Sequence, residues 1–380
     1  MNPIHFFTLG YFEEYLIIGI LFGVVIGFYA FFRIRYAIND SVLSKNKKMI
    51  ICAIIAVLAF LFCLNIWSNA AILTLYLFIS SLIADMVYLL WKYLLKGKHL
   101  NFIPKIHKKG IFAIIIFAII MAGSVYGMNH IDLTEYNLST DKVSNQSYSI
   151  LFVSDVHYDT VQNPKLVEES IKKMNDLNPD IVVLGGDIVD ERTPKESMKE
   201  IFKELGTINS TYGTYYVYGN HDRQPYETDY EDGNRTFTDE ELSQSIESSG
   251  ITILEDDKII LNNDIVLVGR ADAGWDDHVQ RANLSEMIDE SDLSKYIVVI
   301  DHQPIEQDEN SAAGADLEIS GHTHGGQVFP YGFLYDFMGI KKYGEYDFGN
   351  MKQIVSSGLT GWGWPFRNEA KCEYVFIHVN

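Results

Sequence analysis

The chain has 380 residues, 50 of them acidic and 30 basic, and a formal net charge of −20. Residues 1–130 contain 11 basic and four acidic side chains, which leaves 19 basic and 46 acidic ones for residues 131–380. An acidic half of this kind is not expected to bind a nucleic acid polymer, because each phosphate contact normally needs Lys or Arg. The length predicts two domains, and a single cysteine in the acidic half excludes a disulfide framework there.

Four apolar runs occupy the first 130 residues. They cover residues 16–32, 49–67, 70–91 and 110–128, and each is about 17 to 22 residues long, close to the ~20 that cross a ~30 Å hydrocarbon core. Charged side chains are almost confined to the gaps between them. We therefore predict a four-helix transmembrane domain over residues 1–130, with a tight helical hairpin at Ser68 and Asn69.

Two of the gaps between these runs are strongly basic. Their residues are Arg33, Arg35, Lys45, Lys47 and Lys48 after the first run, and Lys92, Lys96, Lys98, Lys105, Lys108 and Lys109 after the third. Basic loops stay on the cytoplasmic side of a membrane. Because the number of spans is even, the pattern predicts a multi-pass protein of the cell membrane whose acidic half is extracytoplasmic.

Asp85 lies inside the third apolar run. An ionisable side chain within a membrane is costly and often functional, but one near the end of a span can also reach the interface. Both interpretations are open at this stage.

The acidic half begins with a polar stretch, residues 131–147, which predicts a short linker. The β-rich run 148–153 follows and leads to Asp155 and His157, two residues apart and therefore on one side of an extended strand. A helical pattern over 161–177 and a buried-type strand, 181–184, then lead to Asp187. Strand, helix and strand ending in a carboxylate is the pattern of an α/β unit, whose functional groups gather at the carboxyl ends of strands.

The rest of the chain repeats this pattern. A helix near 194–205 precedes the run 214–218, which ends in Gly219-Asn220-His221-Asp222. Residues 222–240 predict an exposed insertion, and Thr238 has the capping-box signature of a helix start. Further strands are predicted at 251–254, 264–269, 297–300, 317–320, 353–356 and 373–379. Two of these lead to His302 and to the pair His322 and His324.

Five short blocks thus follow strand ends in a fixed order. They are Asp155-x-His157, Gly186-Asp187, Gly219-Asn220-His221-Asp222, His302 and Gly321-His322-x-His324. Together they resemble the calcineurin-like metallophosphoesterase superfamily, and the form Gly-His-Thr-His-Gly-Gly-Gln resembles its membrane-associated bacterial phosphodiesterase branch. The resemblance covers about residues 148–380 and implies a four-layer α-β-β-α sandwich, preceded here by the transmembrane domain.

The resemblance also implies two divalent metal ions and a set of roles. The implied ligands are Asp155, His157 and His324 for the first ion, Asn220, His302 and His322 for the second, and Asp187 for both. His221 would act as a general acid or stabilise an oxyanion, oriented by Asp222. Mixed imidazole and oxygen ligands suit Mn, Fe or Zn better than Mg or Ca.

The implied function is a membrane-anchored phosphoesterase that hydrolyses phosphodiester bonds of lipid-linked or cell-envelope substrates with a hydroxide held between the metals. Two divalent ions, the carboxylates of Asp155 and Asp187 and one hydroxide together give the site a formal charge of about +1. Acidic side chains farther away than the ~8 Å Debye length are screened, so the site can bind phosphate. Two alternatives stay open. One is a phosphomonoesterase or pyrophosphohydrolase with the same site, and the other is a membrane sensor or transport accessory with a regulatory metal domain.

The loop 358–367 carries extra aromatic residues compared with that branch. One interpretation is an apolar lip for a lipid tail or sugar, with Arg367 binding a substrate phosphate. The other is a packed loop with a surface arginine.

Overall fold

The computed structural model describes residues 10–94, 102–143, 146–226, 235–274 and 281–380. Two compact units are present, Met1–Gly123 and Ser124–Asn380. Part of the predicted insertion, residues 227–234, lies outside the described residues, as do Lys96 and Lys98 of the second basic gap.

The first unit is helical. Its elements are α1 Gly10–Ile38, α2 Lys45–Cys63, α3 Asn69–Tyr93, α4 Ile103–Lys108 and the greater part of α5 Ile111–Met128. Four of these helices, namely α1 from Leu16 onward, α2, α3 and α5, are long and apolar enough to cross a membrane. The prediction of four apolar helices at the amino terminus is confirmed.

The connection between α2 and α3 is longer than predicted. Helix α2 ends at Cys63, and Asn65 Oδ1 accepts a hydrogen bond from the Trp67 N–H (3.1 Å). Ser68 caps α3 by accepting from the Ala71 N–H (3.1 Å). The prediction that α2 continues to residue 67 was wrong, because Asn and Ser side chains compete with helical hydrogen bonds and favour turns and caps.

Asp85 is fully partnered within the first unit. Its carboxylate accepts a hydrogen bond from the Tyr29 hydroxyl (2.7 Å) and lies 2.8 Å from His107 Nε2. The Arg33 guanidinium is 3.4 Å away. These contacts join α1, α3 and α4, so the carboxylate has a structural role in holding the three helices together.

Three glycines bring α1 close to α2. Gly19, Gly23 and Gly27 recur every fourth residue and therefore share one face of α1. A Cβ atom on Gly19 would lie 2.6 Å from the Cys63 carbonyl oxygen. Membrane helices associate through such close backbone packing, because lipid supplies no hydrophobic drive between them.

Replacing Gly19 by valine is expected to weaken this contact, since the branched side chain fits only if α2 shifts. Overpacking typically costs ~1–3 kcal/mol, so Gly19→Val should unfold at a lower fraction of SDS in mixed micelles than the parent protein. Gly123→Val is a matched control, because nothing lies within 4 Å of a Cβ at that position. An equal shift for both variants would contradict the packing explanation.

The second unit contains two six-stranded sheets. The strands are β1 Ile131–Leu138, β2 Tyr148–Val153, β3 Ile181–Leu184, β4 Thr214–Tyr216, β5 Ile251–Ile253, β6 Asp257–Leu261, β7 Ile265–Gly269, β8 Tyr296–Ile300, β9 Leu317–Ser320, β10 Gly344–Phe348, β11 Met351–Val355 and β12 Cys372–Val379. Their order is β1-β12-β2-β3-β4-β5 in the first sheet and β10-β11-β9-β8-β7-β6 in the second. Strands β2 to β5 are mutually parallel, as are β7, β8, β9 and β11.

Helices cover the outer face of each sheet. They are α6 Pro164–Asp176, α7 Lys195–Leu205 and α8 Asp239–Ser248 on the first sheet, and α9 Leu284–Met287 and α10 Gln307–Ala313 on the second. A further helix, α11 Tyr331–Met338, lies between β9 and β10 in the chain and exposes several apolar side chains. The capping box at Thr238 is present at the start of α8, as predicted.

Alternate side chains of the central strands face different layers. Leu151 and Val153 of β2 pack against α6, α7 and α8, whereas Ile150 and Phe152 pack between the two sheets. In the second sheet, Val266 of β7 faces away from the first sheet and packs with α9. The predicted four-layer α-β-β-α sandwich is confirmed.

The prediction of a linker over residues 131–147 was wrong for its first half, which forms a strand. Strand β1 pairs in parallel with β12 along its whole length, from Ile131 opposite Cys372 to Leu138 opposite Val379. Leu133 packs on the outer core and Leu138 on the core between the sheets. The strand lies at a sheet edge and is only partly buried, so its polar residues hide the alternation in the sequence.

Candidate metal centre

The predicted ligands gather at the carboxyl ends of five strands in the two sheets. They are Asp155 and His157 after β2, Asp187 after β3, Asn220 and His221 after β4, His302 after β8, and His322 and His324 after β9. Parallel neighbours end at the same edge of a sheet, which brings distant parts of the sequence together. Two groups of possible metal ligands result.

Cluster A consists of Asp155, His157 and His324. The Nε2 atoms of the two histidines are 3.3 Å apart, and His324 Nε2 is 3.6 Å from Asp155 Oδ1. Asp155 and His157 are almost completely buried. Asp190 lies behind His157, with its Oδ2 3.5 Å from Nδ1.

Cluster B consists of Asp187, His302 and His322. His302 Nε2 is 3.2 Å from Asp187 Oδ2. Asn220 Oδ1 lies 2.8 Å from His322 Nδ1 and 3.1 Å from His302 Nε2, so the amide joins this cluster. Asp187 Oδ2 is also 3.7 Å from His157 Nε2 of cluster A. The same carboxylate oxygen therefore lies between the two clusters.

The orientation of His302 tests whether a cation fits cluster B. Its Nδ1 is 2.8 Å from the Gly185 carbonyl oxygen, an acceptor, so Nδ1 carries a hydrogen and Nε2 is the ring atom that faces the cluster. Oxygens of Asp187 and Asn220, which are acceptors, lie around Nε2. Burial opposes protonation, but the charges of Asp187 and Asp155 raise the pKa of His302 well above its usual value, so the cluster attracts positive charge at Nε2. A divalent metal ion can supply that charge in place of the proton, so the donor set fits such an ion.

Five of these residues have backbone φ angles in the left-handed region. The φ angles are 52° at Asp155, 40° at His157, 52° at Asp187, 71° at His322 and 50° at His324. Non-glycine residues rarely adopt this conformation, which costs ~1–3 kcal/mol at each position and is found mainly at functional sites. The turns it produces aim side chains from the strand ends into the two clusters.

Backbone N–H groups from neighbouring loops fix the two carboxylates. The Asp155 carboxylate accepts from the His322 N–H (3.0 Å), and Asp187 Oδ1 accepts from the His221 N–H (2.8 Å). Gly219 is needed for the second contact, because a Cβ there would lie 2.3 Å from Asp187 Oδ1. Asp187 thus uses Oδ1 to hold the loop and keeps Oδ2 for the clusters.

His221 lies beside cluster A, with its ring centroid 5.4 Å from that of His157 and 5.1 Å from that of Trp362. Glu191 Oε2 is 2.9 Å from His221 Nδ1. Burial alone would lower the pKa of His221, but the charges of Asp187 and Glu191 raise it to about 9. With the charges of the protein alone, the imidazole is therefore protonated at neutral pH and has a proton to donate.

The prediction that Asp222 orients His221 was wrong. The Asp222 carboxylate accepts from the N–H groups of Gly219, Asp187, Ile188 and Val189 at 2.6 to 3.2 Å, and so fastens the loops after β3 and β4 to each other. Glu191, whose Oε2 is 2.9 Å from His221 Nδ1, orients the His221 ring instead. Sequence reasoning missed it because Asp190-Glu191-Arg192 has the composition of a solvated charged loop, and only the spacing from Asp187 indicates proximity to the site.

A Glu191→Gln substitution is expected to lower kcat/KM by roughly 10–100-fold, the usual range for a residue that supports a site residue from behind. Without the nearby anion the pKa of His221 falls. His221 then loses its proton at lower pH, so the alkaline limb of the pH–rate profile moves to lower pH. The profile of kcat/KM measures this shift, and Glu169→Gln, at an exposed position of α6, is the control. An unmoved alkaline limb in Glu191→Gln would contradict the orienting role.

The prediction that Arg367 binds a substrate phosphate was wrong. Its side chain is completely buried. The guanidinium donates to the carbonyl oxygens of Ala370 (2.9 Å), Thr360 (2.5 Å), His324 (2.8 Å) and Ser357. Arg367 therefore braces the loop that carries His324.

The aromatic loop is packed rather than open. Gln327 Nε2 lies within hydrogen-bonding distance of the carbonyl oxygens of Trp362, Trp364 and Phe366 (3.0 to 3.2 Å). One side-chain amide thus contacts three positions of the loop. Trp364 is buried against Tyr331, with ring centroids 5.2 Å apart. Trp362 packs beside His221, so this aromatic residue of the loop borders the candidate site.

Comparisons with known proteins agree with this geometry. The sequence profile of the family described as Calcineurin-like phosphoesterase matches residues 148–326, which include all seven predicted ligands. The uncharacterized metallophosphoesterase Cj0846 of Campylobacter jejuni is 32% identical over 232 residues, covering 60% of this chain and 58% of the relative. An uncharacterized metallophosphoesterase of Helicobacter pylori is 27% identical over 296 residues, covering 74% of each protein.

A third relative has a more specific name. Phosphodiesterase YaeI of Escherichia coli is 27% identical over 222 residues, covering 56% of this chain and 75% of that protein. The match to the Campylobacter jejuni relative spans less than two thirds of that protein's length. The region that matches the family, residues 148–326, contains every residue of clusters A and B. The second unit therefore contains, over residues 148–326, a match to the calcineurin-like phosphoesterase family.

Proposed function

We propose that the chain is a membrane-anchored, metal-dependent phosphoesterase that hydrolyses phosphodiester bonds in lipid-linked or cell-envelope molecules. Residues 1–130 would be its transmembrane domain and residues 148–380 its catalytic domain. The observation that carries the proposal is the pair of clusters A and B with the Asp187 carboxylate between them. The family match and the relative named as a phosphodiesterase support the choice of substrate bond.

Cluster A would hold one divalent ion, and cluster B with Asn220 would hold a second, with Asp187 shared. The imidazole and oxygen donors favour Mn, Fe or Zn. Two such ions, when bound, activate water and stabilise the attacking and leaving oxygens of a displacement at phosphorus. The chain's own task is to hold the ligands in place, which the backbone N–H groups of His322 and His221 do by donating to the Asp155 and Asp187 carboxylates.

His221 would protonate the leaving oxygen. Its Nδ1 is held by Glu191, so Nε2 is the atom available for the transfer. A raised pKa keeps the ring charged at neutral pH, which suits a proton donor and also stabilises negative charge on a departing oxygen. A positioned acid of this kind typically contributes ~10²–10⁴-fold to the rate.

We infer that the catalytic domain is extracytoplasmic. The support is the even number of candidate spans together with the basic gaps after the first and third of them. Protease added to intact spheroplasts should therefore cleave residues 131–380. Protection of that part of the chain until the membrane is permeabilised would overturn the inference.

The reaction is tested with the full-length protein purified in detergent, stripped of metal and reloaded separately with Mn, Fe or Zn. We expect metal-dependent hydrolysis of a generic aryl phosphodiester, faster than that of the matching monoester. Faster hydrolysis of the monoester would favour a phosphomonoesterase with the same site. Failure of every loaded form to hydrolyse either substrate would overturn the proposal and favour a regulatory metal domain.

A further inference from the structure

One segment of the second unit exposes an unusual amount of apolar surface. Its members, called here the apolar segment, are Phe329 and helix α11. The exposed fractions are 46% for Phe329, 62% for Phe333, 46% for Leu334, 85% for Phe337 and 38% for Met338. Adjacent exposed apolar side chains of this size mark an interaction surface in a folded protein.

The polar side of α11 is firmly attached to the rest of the unit. The Glu369 carboxylate accepts from the Gly332 N–H (2.7 Å) and the Phe333 N–H (3.2 Å). Lys342 Nζ donates to the Gly332 carbonyl (2.8 Å) and to Asp336 (2.7 Å). The helix is thus held in one orientation, with its phenylalanines directed outward.

One asparagine connects the apolar segment to the end of a candidate membrane span. Asn368 Oδ1 accepts from the Phe329 N–H (3.0 Å), and Asn368 Nδ2 donates to Ser124 Oγ (2.7 Å). The adjacent Arg367 N–H donates to the Ser124 carbonyl (3.0 Å). Ser124 lies near the carboxyl end of α5, one of the four helices long and apolar enough to cross a membrane. Tyr126, two residues later, is itself 65% exposed.

We propose that the apolar segment inserts its phenylalanines into the interface of the same lipid bilayer that α5 crosses. The partner is a lipid surface, because the segment is fixed next to the point where the span ends. An amphipathic helix lying on a membrane buries its apolar face ~5–10 Å into the boundary between headgroups and acyl chains. Lys341, three residues after the end of the segment, suits anionic headgroups.

The insertion has a consequence for the candidate metal centre, which rests on the proposed function. Tyr331 of the segment packs on Trp364, and Trp362 of the same loop packs beside His221. The loop therefore links the lipid-contacting surface to the clusters. A phosphoester whose acyl chains stay in the bilayer would meet the site at the level of the headgroups.

The test measures depth in the membrane with the full-length protein in lipid nanodiscs. A nitroxide label is placed at Phe337→Cys or, as control, at Ile260→Cys, an exposed apolar position (45%) in β6 at the opposite edge of the second sheet from β10. The three native cysteines are buried. We expect the ratio of collisions with oxygen to collisions with a water-soluble nickel chelate to be several-fold higher at residue 337 than at residue 260.

Two outcomes would overturn the proposal. Equal accessibility of both labels to the nickel chelate would show that residue 337 is in water. Dipolar coupling between the residue 337 labels of two chains would assign the apolar segment to a dimer contact. Neither result depends on catalysis, so failure of the phosphoesterase proposal and failure of the membrane insertion are distinguishable.

Discussion

The Asp187→Asn variant is expected to lose on the order of 10³-fold or more in kcat/KM for an aryl phosphodiester, because this carboxylate lies between the two clusters and would serve both proposed metals. Its Oδ2 lies 3.2 Å from His302 Nε2 and 3.7 Å from His157 Nε2. The amide keeps the shape of the side chain but removes the negative charge that both ions need. Bound metal, measured by mass spectrometry after gel filtration, should fall together with activity.

Asp176→Asn is the matched control, since this aspartate is exposed at the end of α6. It should keep both metal content and rate. Asp187→Asn with the parent's metal content and the parent's rate would contradict the shared-ligand role. Normal metal content with a lost rate would instead place Asp187 in the chemistry without a part in holding the ions.

His221→Asn is expected to show a loss that depends on the leaving group. With an alkyl phosphodiester, whose alkoxide must be protonated, kcat/KM should fall by about 10²–10⁴-fold. With a 4-nitrophenyl ester, whose leaving group departs as a stable anion, the loss should be much smaller. The ratio of the two rates in parent and variant is the measurement.

His378→Asn controls for the loss of a histidine, because His378 lies in β12 beside Glu135 and opposite Ser149, at the end of β2 away from the candidate ligands. It should leave both rates unchanged. An equal loss on both substrates in His221→Asn would reject proton donation and indicate that the imidazolium stabilises negative charge instead.

The central strands could be predicted because they are buried on both faces. Runs such as Ile181–Leu184 and Tyr296–Ile300 are continuously apolar, rich in β-branched residues, bounded by turns and too short for buried helices. Edge strands could not be predicted in this way. Strands β6 and β10 were missed, as β1 was, because they are partly exposed and contain charged residues, so they lack a continuous apolar run.

Residues of the candidate site were predictable to the extent that their types are restricted by chemistry. The seven residues predicted as ligands all lie in the two clusters or against them, because strand ends converge and only a few side chains bind metals. Asp222 and Arg367 were misjudged for a different reason. Whether a charged side chain near a site faces the site or fastens the backbone is decided by neighbours distant in sequence, such as Val189 for Asp222 and Ala370 for Arg367.

The left-handed backbone conformation lowers stability at Asp155, His157, Asp187, His322 and His324, five positions whose side chains the proposed activity needs. Glycine at any of these positions would relieve the backbone strain. The same change would remove a candidate ligand, and at Asp155 or Asp187 it would also remove the acceptor that holds a neighbouring loop. Relief of the strain and retention of the ligands are therefore incompatible at these five positions, so a search for stabilising variants of this enzyme should look elsewhere in the sandwich.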